Sequence, residues 1–140
     1  MISEQLLLKA LERPRPRVRL QTYVYREQSS HGFSVEGFQG GLDVDVSDFW
    51  LACLGALDEG EVVEDATEMR ALIALCRPAP IPQAALQQSI DAVCRGHLAV
   101  VRSTILRPVL GVRLTLAWNL DAVYVRSADA QYGFFWHTSE

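Results

Sequence analysis

The apolar residues of this chain change their spacing at His97, from a period typical of helices to one typical of strands. Between Ser47 and Arg95, apolar residues recur three and four positions apart in three stretches, as on the buried faces of helices. After that point, four segments alternate in polarity and are joined by short connections, which permits an antiparallel meander. These predicted strands are His97 to Leu106, Gly111 to Trp118, Ala122 to Arg126 and Gln131 to His137. Helices and strands are therefore segregated along the chain, which predicts an α+β fold.

The first forty residues add a helix and a hairpin to this pattern. Ser3 can cap a helix that runs to residue 12, and Pro14 and Pro16 end it because proline lacks a backbone N–H. Val18 to Arg26 then alternates in polarity, and a second strand is predicted from Phe33 to Phe38. We expect one domain, residues 1–140, whose mainly antiparallel sheet combines this hairpin with the C-terminal four-strand meander. Three to four helices would pack on one face of the sheet.

Length and composition are those of one ordinary globular domain. The chain has 140 residues, of which 49% are hydrophobic and 21% are charged, so it can bury a real core. Its net charge of −4 argues against a binder of duplex nucleic acid, because such proteins carry clustered positive charge. The chain has no apolar run of about 18 residues, and its first residues lack the basic start of a signal peptide. We therefore expect a cytoplasmic protein without a membrane span.

Three cysteines and three histidines are candidates for metal or thiol chemistry. Each cysteine lies on the apolar stripe of a predicted helix, which favours buried reduced thiols. The histidines are dispersed, and no H-x₃-H or C-x₂-C spacing links them to the cysteines, so we expect neither structural zinc nor another cofactor. Folding could still bring a Cys–His pair together. The residues concerned are Cys53, Cys76, Cys94, His31, His97 and His137.

Charge is distributed unevenly along the chain. Eleven carboxylates and no Lys or Arg lie between Glu27 and Met69, whereas six of the thirteen basic residues lie in the first 26 positions. A long segment of one sign creates a field that speeds encounters with an oppositely charged partner. We therefore predict a partner-binding surface that contains acidic residues of this segment. Its members are Glu36, Asp43, Asp45, Asp58, Glu59, Glu61, Glu64 and Asp65.

The C-terminal strand is apolar or aromatic on both of its faces. Tyr132, Phe134 and Trp136 point one way, while Phe135 and His137 point the other. Either helices and a loop enclose this strand on both sides, or its aromatic residues form an exposed patch of the kind found at interfaces. Under the second alternative, Phe135 and Trp136 belong to the predicted partner-binding surface.

Two short patterns resemble catalytic motifs, but each has a simpler structural explanation. Asp43, Asp45 and Asp48 form D-x-D-x-x-D, which could hold a divalent metal. The pattern favours a solvated loop that leads into a helix, with Asp48 complementing the positive N-terminal end of that helix. Ser34 lies between Gly32 and Gly37, one residue more than G-x-S-x-G allows, and in a hairpin rather than the strand-to-helix turn that a nucleophile elbow needs.

Four arginines occupy alternate positions near the N-terminus, so they would share one side of an extended segment. They are Arg13, Arg15, Arg17 and Arg19. Their forked guanidinium groups could bind phosphate or an acidic surface. They could also neutralise the acidic segment of the same or a neighbouring subunit, or simply be solvated.

These features favour a small acidic binding protein, not an enzyme, that neutralises or regulates a protein partner with a basic surface. Immunity proteins and other inhibitors have this general size and charge. One alternative is a self-associating or chaperone-like subunit that forms a homodimer through the C-terminal strand or the helical block. Another is an enzyme with an unrecognised site. Its candidate residues would be Cys53, His31, His97, His137 and the Asp43–Asp45 pair.

Overall fold

The computed structural model describes residues 2–14, 16–27, 32–57, 66–75, 77–117 and 119–138. Within these ranges the chain forms five α-helices and one sheet of six strands. The helices are α1 (Glu4–Glu12), α2 (Val46–Ala56), α3 (Ala66–Leu75), α4 (Leu86–Cys94) and α5 (Ala99–Arg102). The strands are β1 (Gln21–Arg26), β2 (Phe33–Gly40), β3 (Pro78–Pro80), β4 (Pro108–Ala117), β5 (Leu120–Ser127) and β6 (Gln131–Thr138). None of these helices has both the length and the apolar character that a membrane span requires.

All neighbouring strands of the sheet are antiparallel, in the order β1-β2-β6-β5-β4-β3. The predicted α+β class with a mainly antiparallel sheet is confirmed. The predicted N-terminal hairpin is also confirmed, since β1 pairs with β2 from Gln21 opposite Gln39 to Arg26 opposite Ser34. The last strand, β6, lies inside the sheet between this hairpin and β5. Pairing of β6 with β2 therefore joins the N-terminal hairpin to the C-terminal strands.

Helices cover both faces of the sheet, rather than the single face that the sequence led us to expect. One hydrophobic core joins α1, α2 and α3 to the face that carries Phe135, and a second joins α4 and α5 to the face that carries Phe134. Both phenylalanines are fully buried, because successive side chains of a strand point to opposite faces. Most of β6 is therefore enclosed on both sides, which was the first of the two alternatives for this strand.

Residues 97–106 differ most from the prediction. They contain α5 instead of a strand, so the C-terminal meander has three strands rather than four. Leu98 precedes α5 with a φ of 74°, and the adjacent residues Val100 and Val101 are both buried against the second core. Packing therefore overrides the strand propensity of this β-branched run. Pro78–Pro80 forms the short edge strand β3, which pairs with β4.

Side-chain caps determine where the first two helices begin. Ser3 caps α1 as predicted, and its hydroxyl accepts a hydrogen bond from the backbone N–H of Leu6 at 3.2 Å. Asp45 caps α2, because its carboxylate accepts the backbone N–H groups of Ser47 at 3.0 Å and Asp48 at 3.4 Å. The exposed acidic loop before α2 therefore has a structural role at its last residue.

The cysteines within the described ranges are buried free thiols, as the helical pattern predicted. They are Cys53 and Cys94, while Cys76 lies outside the described residues. Burial raises the pKa of Cys53 well above its ordinary value and raises the pKa of Cys94 to about 12. Both side chains therefore stay protonated at neutral pH, which makes them poor nucleophiles.

Candidate partner-binding surface

The predicted acidic surface lies only partly within the described residues. Five of its members lie outside them: Asp58, Glu59, Glu61, Glu64 and Asp65. Asp43 and Asp45 are exposed in the loop between β2 and α2, and Asp45 Oδ2 lies 3.8 Å from Arg13 Nη2. Glu36 is 2% exposed, so its carboxylate is not available to a partner. Of the acidic residues predicted to bind a partner, only Asp43 and Asp45 therefore lie on the surface within the described ranges.

An arginine of the N-terminal segment neutralises part of the acidic segment. Arg13 Nη2 lies 3.0 Å from each carboxylate oxygen of Asp48, whose side chain is 9% exposed. This contact holds the segment after α1 against the N-terminus of α2. It agrees with one of the alternatives for the four arginines, that they neutralise the acidic segment of the same chain. Arg17 and Arg19 are exposed, and Arg15 lies outside the described residues.

A group of aromatic side chains lies at one end of the sheet, on the face covered by α4 and α5. This aromatic cluster consists of Tyr25, Phe33, His97 and Trp136, all partly exposed. Three consecutive strands supply three of these rings. Val35 on β2 lies opposite both Tyr25 on β1 and Trp136 on β6, so these side chains point to the same face.

The fourth ring, that of His97, reaches the cluster because the chain reverses direction after α4. Arg95 and Gly96 have φ values of 54° and 76°, in the left-handed region that commonly ends a helix. Glycine adopts this conformation at Gly96 without a steric cost. The reversal carries His97 back toward β1 and leaves the Arg95 side chain exposed beside the rings.

The rings contact one another in defined geometries. The rings of Tyr25 and His97 are stacked, with centroids 3.6 Å apart and planes 7° apart. The Phe33 centroid lies 6.1 Å from each of these two rings and 6.2 Å from that of Trp136. The guanidinium carbon of Arg95 lies 4.7 Å from the centroid of the Trp136 ring, which is a cation–π contact. These contacts orient the exposed parts of the rings.

Polar groups accompany the rings of the aromatic cluster. The Tyr25 hydroxyl donates a hydrogen bond to Glu27 Oε2 at 3.3 Å. The Trp136 indole N–H is buried and has no hydrogen-bond acceptor within the described part of the chain. Such groups usually find a partner when they are buried. The cluster thus combines apolar ring surface with a cation, a carboxylate and an unsatisfied donor.

The aromatic cluster and the exposed aspartates lie at opposite ends of β2. Phe33 is the first residue of this strand, and Asp43 and Asp45 follow its last residue, Gly40. A strand of eight residues spans roughly 27 Å. The exposed aspartates within the described ranges therefore form a separate surface from the aromatic cluster.

One member of the aromatic cluster, Trp136, was among the residues predicted to bind a partner. Phe135, predicted with it, is 0% exposed and belongs to the first core, so it does not reach the surface. No surface role was predicted for Tyr25, Phe33 or His97. A signal existed for Tyr25, because Tyr23 and Tyr25 occupy the face of the predicted strand that also carries Arg19 and Gln21.

Two of the three histidines predicted as catalytic candidates have structural contacts in the described part of the chain. His97 stacks in the aromatic cluster, His137 contacts Glu36, and His31 lies outside the described residues. Within the described ranges, no three His, Cys, Asp or Glu side chains are grouped so that they could hold a metal ion. No protein-family model, curated protein or solved structure matched this chain.

Proposed function

We propose that this protein is a small acidic binding protein, rather than an enzyme, that neutralises or regulates a protein partner. The partner contact is centred on the aromatic cluster. The observation that carries the proposal is a set of four partly exposed rings, in which His97 stacks on Tyr25 and Phe33 is tilted against its neighbours, with the Arg95 guanidinium held against Trp136. Aromatic residues and arginine are the residue types enriched at the energetic centres of protein interfaces.

The geometry of the aromatic cluster supports this assignment. Its rings are fixed by contacts within the chain, so a partner does not have to pay the full entropic cost of ordering them. Arg95 and Glu27 lie at its border and can form charged contacts that select the partner. A surface with a rigid aromatic centre and a charged border favours a protein partner over a small substrate.

Charge has a second role, in the rate of encounter. The net charge of −4 and the exposed Asp43 and Asp45 favour a partner with a basic surface, and the acidic segment from Asp58 to Asp65 adds to this field. The association rate should therefore fall as ionic strength rises. The two free, buried thiols, Cys53 and Cys94, are compatible with a cytoplasmic location, which is part of the proposal.

The proposal is tested by affinity capture from the native host followed by mass spectrometry, with three baits. The first is the wild-type protein, and the second carries Arg95→Asn together with His97→Ala, which removes a guanidinium and a ring from the cluster. Asparagine tolerates the left-handed conformation of position 95, so the backbone is preserved. The third bait carries Arg70→Gln and is the control. It also loses one exposed arginine, but Arg70 lies on α3, which covers the face of the sheet opposite the aromatic cluster.

We expect one host protein to be enriched on the wild-type and Arg70→Gln baits at least about tenfold more than on the double variant. A difference of this size is the effect of losing one hot spot. Equal recovery on all three baits would contradict a contact at the aromatic cluster. Recovery of no protein above the background of resin without bait, on any of the three, would contradict the binding function itself.

A further inference from the structure

The two edges of the sheet differ in how they are protected from further strand pairing. One edge is β3, which has three residues, two of them proline, and therefore offers few free backbone groups. The other edge is β1, with six residues, no proline, no lysine and no register shift in its pairing with β2. Among the described residues, no strand pairs with the outer side of β1. Val24, in the middle of this strand, is 46% exposed.

The hydrogen bonding of β1 shows which of its backbone groups face outward. Arg26 lies opposite Ser34, so Glu27 lies opposite Phe33, and the Glu27 N–H donates to the Phe33 carbonyl at 2.9 Å. Directly opposite residues that are hydrogen bonded alternate with residues that are not. The odd-numbered residues of β1 therefore bond to β2. The backbone N–H and C=O groups of the even-numbered residues, with Val24 at their centre, point away from the sheet.

The sequence of β1 is nearly symmetric about Val24. In an antiparallel pair of two identical strands centred on Val24, valine meets valine, tyrosine meets tyrosine, and the remaining polar residues meet polar residues. The pairs are Val24 with Val24, Tyr23 with Tyr25, Thr22 with Arg26, and Gln21 with Glu27. No two like charges are opposed, and the tyrosines form aromatic cross-strand pairs. This register also matches the outward-pointing even-numbered residues with one another, as the ladder of hydrogen bonds requires.

We propose that β1 pairs with β1 of a second copy of this chain, antiparallel and about a two-fold axis at Val24. The partner at this edge is a second copy because one register satisfies two conditions at once. In it, the side chains of β1 meet their counterparts about Val24, and the outward-pointing backbone groups of the two strands face each other. Pairing joins the two sheets into one and places the two aromatic clusters on the same face of it. The proposed partner-binding surface is thereby presented twice, although self-pairing does not depend on that function.

The pairing is tested by sedimentation of the full chain at about 50 μM. At this concentration a dimer with a micromolar Kd is largely assembled. We expect the wild-type protein at twice 15.6 kDa. Val24→Lys opposes two like charges at the axis and should weaken the dimer at least about a hundredfold, so the variant should be mostly monomeric at this concentration. Val109→Lys is the matched control, because Val109 is 56% exposed on β4, and it should leave the dimer unchanged.

Two further measurements test the register. An equimolar mixture of the Val24→Lys and Val24→Glu variants should recover the dimer mass, since opposite charges then meet at the axis. Val24→Cys should form an intermolecular disulfide under mild oxidation, because Cα atoms in a hydrogen-bonded pair lie about 5.5 Å apart, within disulfide range. Val109→Cys should not. A monomeric wild-type protein, a dimer that tolerates Val24→Lys, or a mixture that stays monomeric would each overturn the proposal.

Discussion

Glu36 Oε2 lies 2.6 Å from His137 Nε2, and the two side chains are 3% and 10% exposed. The residues are 101 positions apart in the chain, on the adjacent strands β2 and β6. Their contact holds the C-terminal strand in register with the N-terminal hairpin, on the face that α1, α2 and α3 cover. A carboxylate that the sequence suggested for partner binding thus has a structural role.

The Glu36–His137 contact should contribute measurably to stability. Glu36→Ala leaves His137 buried without this partner, and we expect the free energy of unfolding to fall by roughly 3 kcal/mol. Glu36→Gln keeps an acceptor oxygen and should cost less. Urea denaturation followed by circular dichroism measures both changes.

A double-mutant cycle with His137→Ala separates the contact from the two single losses. The coupling free energy should be about 1–3 kcal/mol, as for residues that share a hydrogen bond. Asp43→Ala, at an exposed aspartate, is the control and should change stability by less than about 0.5 kcal/mol. Additive effects of Glu36→Ala and His137→Ala would show that the contact stabilises nothing.

Asp45 should stabilise the start of α2. Its carboxylate accepts two backbone N–H groups of the first turn, so Asp45→Ala should lower the free energy of unfolding by about 1 kcal/mol. Asp45→Asn retains an acceptor oxygen and should keep most of the stability. Thermal or urea unfolding measures the difference, and equal losses for the two variants would mean that capping is not the cause.

Stability should fall at alkaline pH because of Cys94. Its pKa is raised from 9.0 to about 12 by burial, so above pH 9 the unfolded chain loses this proton while the folded chain keeps it. The stabilising effect is complete below about pH 9 and is lost as the pH rises toward 12. At about pH 10 this thiol alone should lower the free energy of unfolding by roughly 1.4 kcal/mol.

The control for this pH dependence is Cys94→Ala, which removes the titrating group. Between about pH 8 and pH 10 the variant should lose less stability than the wild-type protein, by roughly 1.4 kcal/mol. Cys53 is also buried and contributes to both curves equally. Parallel curves for the two proteins would contradict the raised pKa of Cys94.

Most elements of the fold could be predicted because local signals and tertiary packing agree. The Ser3 cap and the two prolines define α1, and the alternation around Val24 defines β1. The segment at Val100 and Val101 could not be assigned correctly, because a short β-branched run is compatible with a strand or a buried helix. Only the packing of both valines against the second core decides between them.

The candidate surface was less predictable than the fold. The charge pattern was evident, but burial of Glu36 and the contact between Arg13 and Asp48 depend on strand order and helix position. The aromatic cluster combines residues far apart in the sequence, such as Tyr25 and His97. Its formation requires β6 to insert next to β2, a non-local pairing that no periodicity reveals.

The dissociation rate of the complex with the captured partner tests the central claim most directly. It is measured for the wild-type protein, the Arg95→Asn variant and the Arg70→Gln control. If the aromatic cluster is the centre of the contact, Arg95→Asn should dissociate at least about tenfold faster, while Arg70→Gln should match the wild type. Equal dissociation rates for all three proteins would contradict the account.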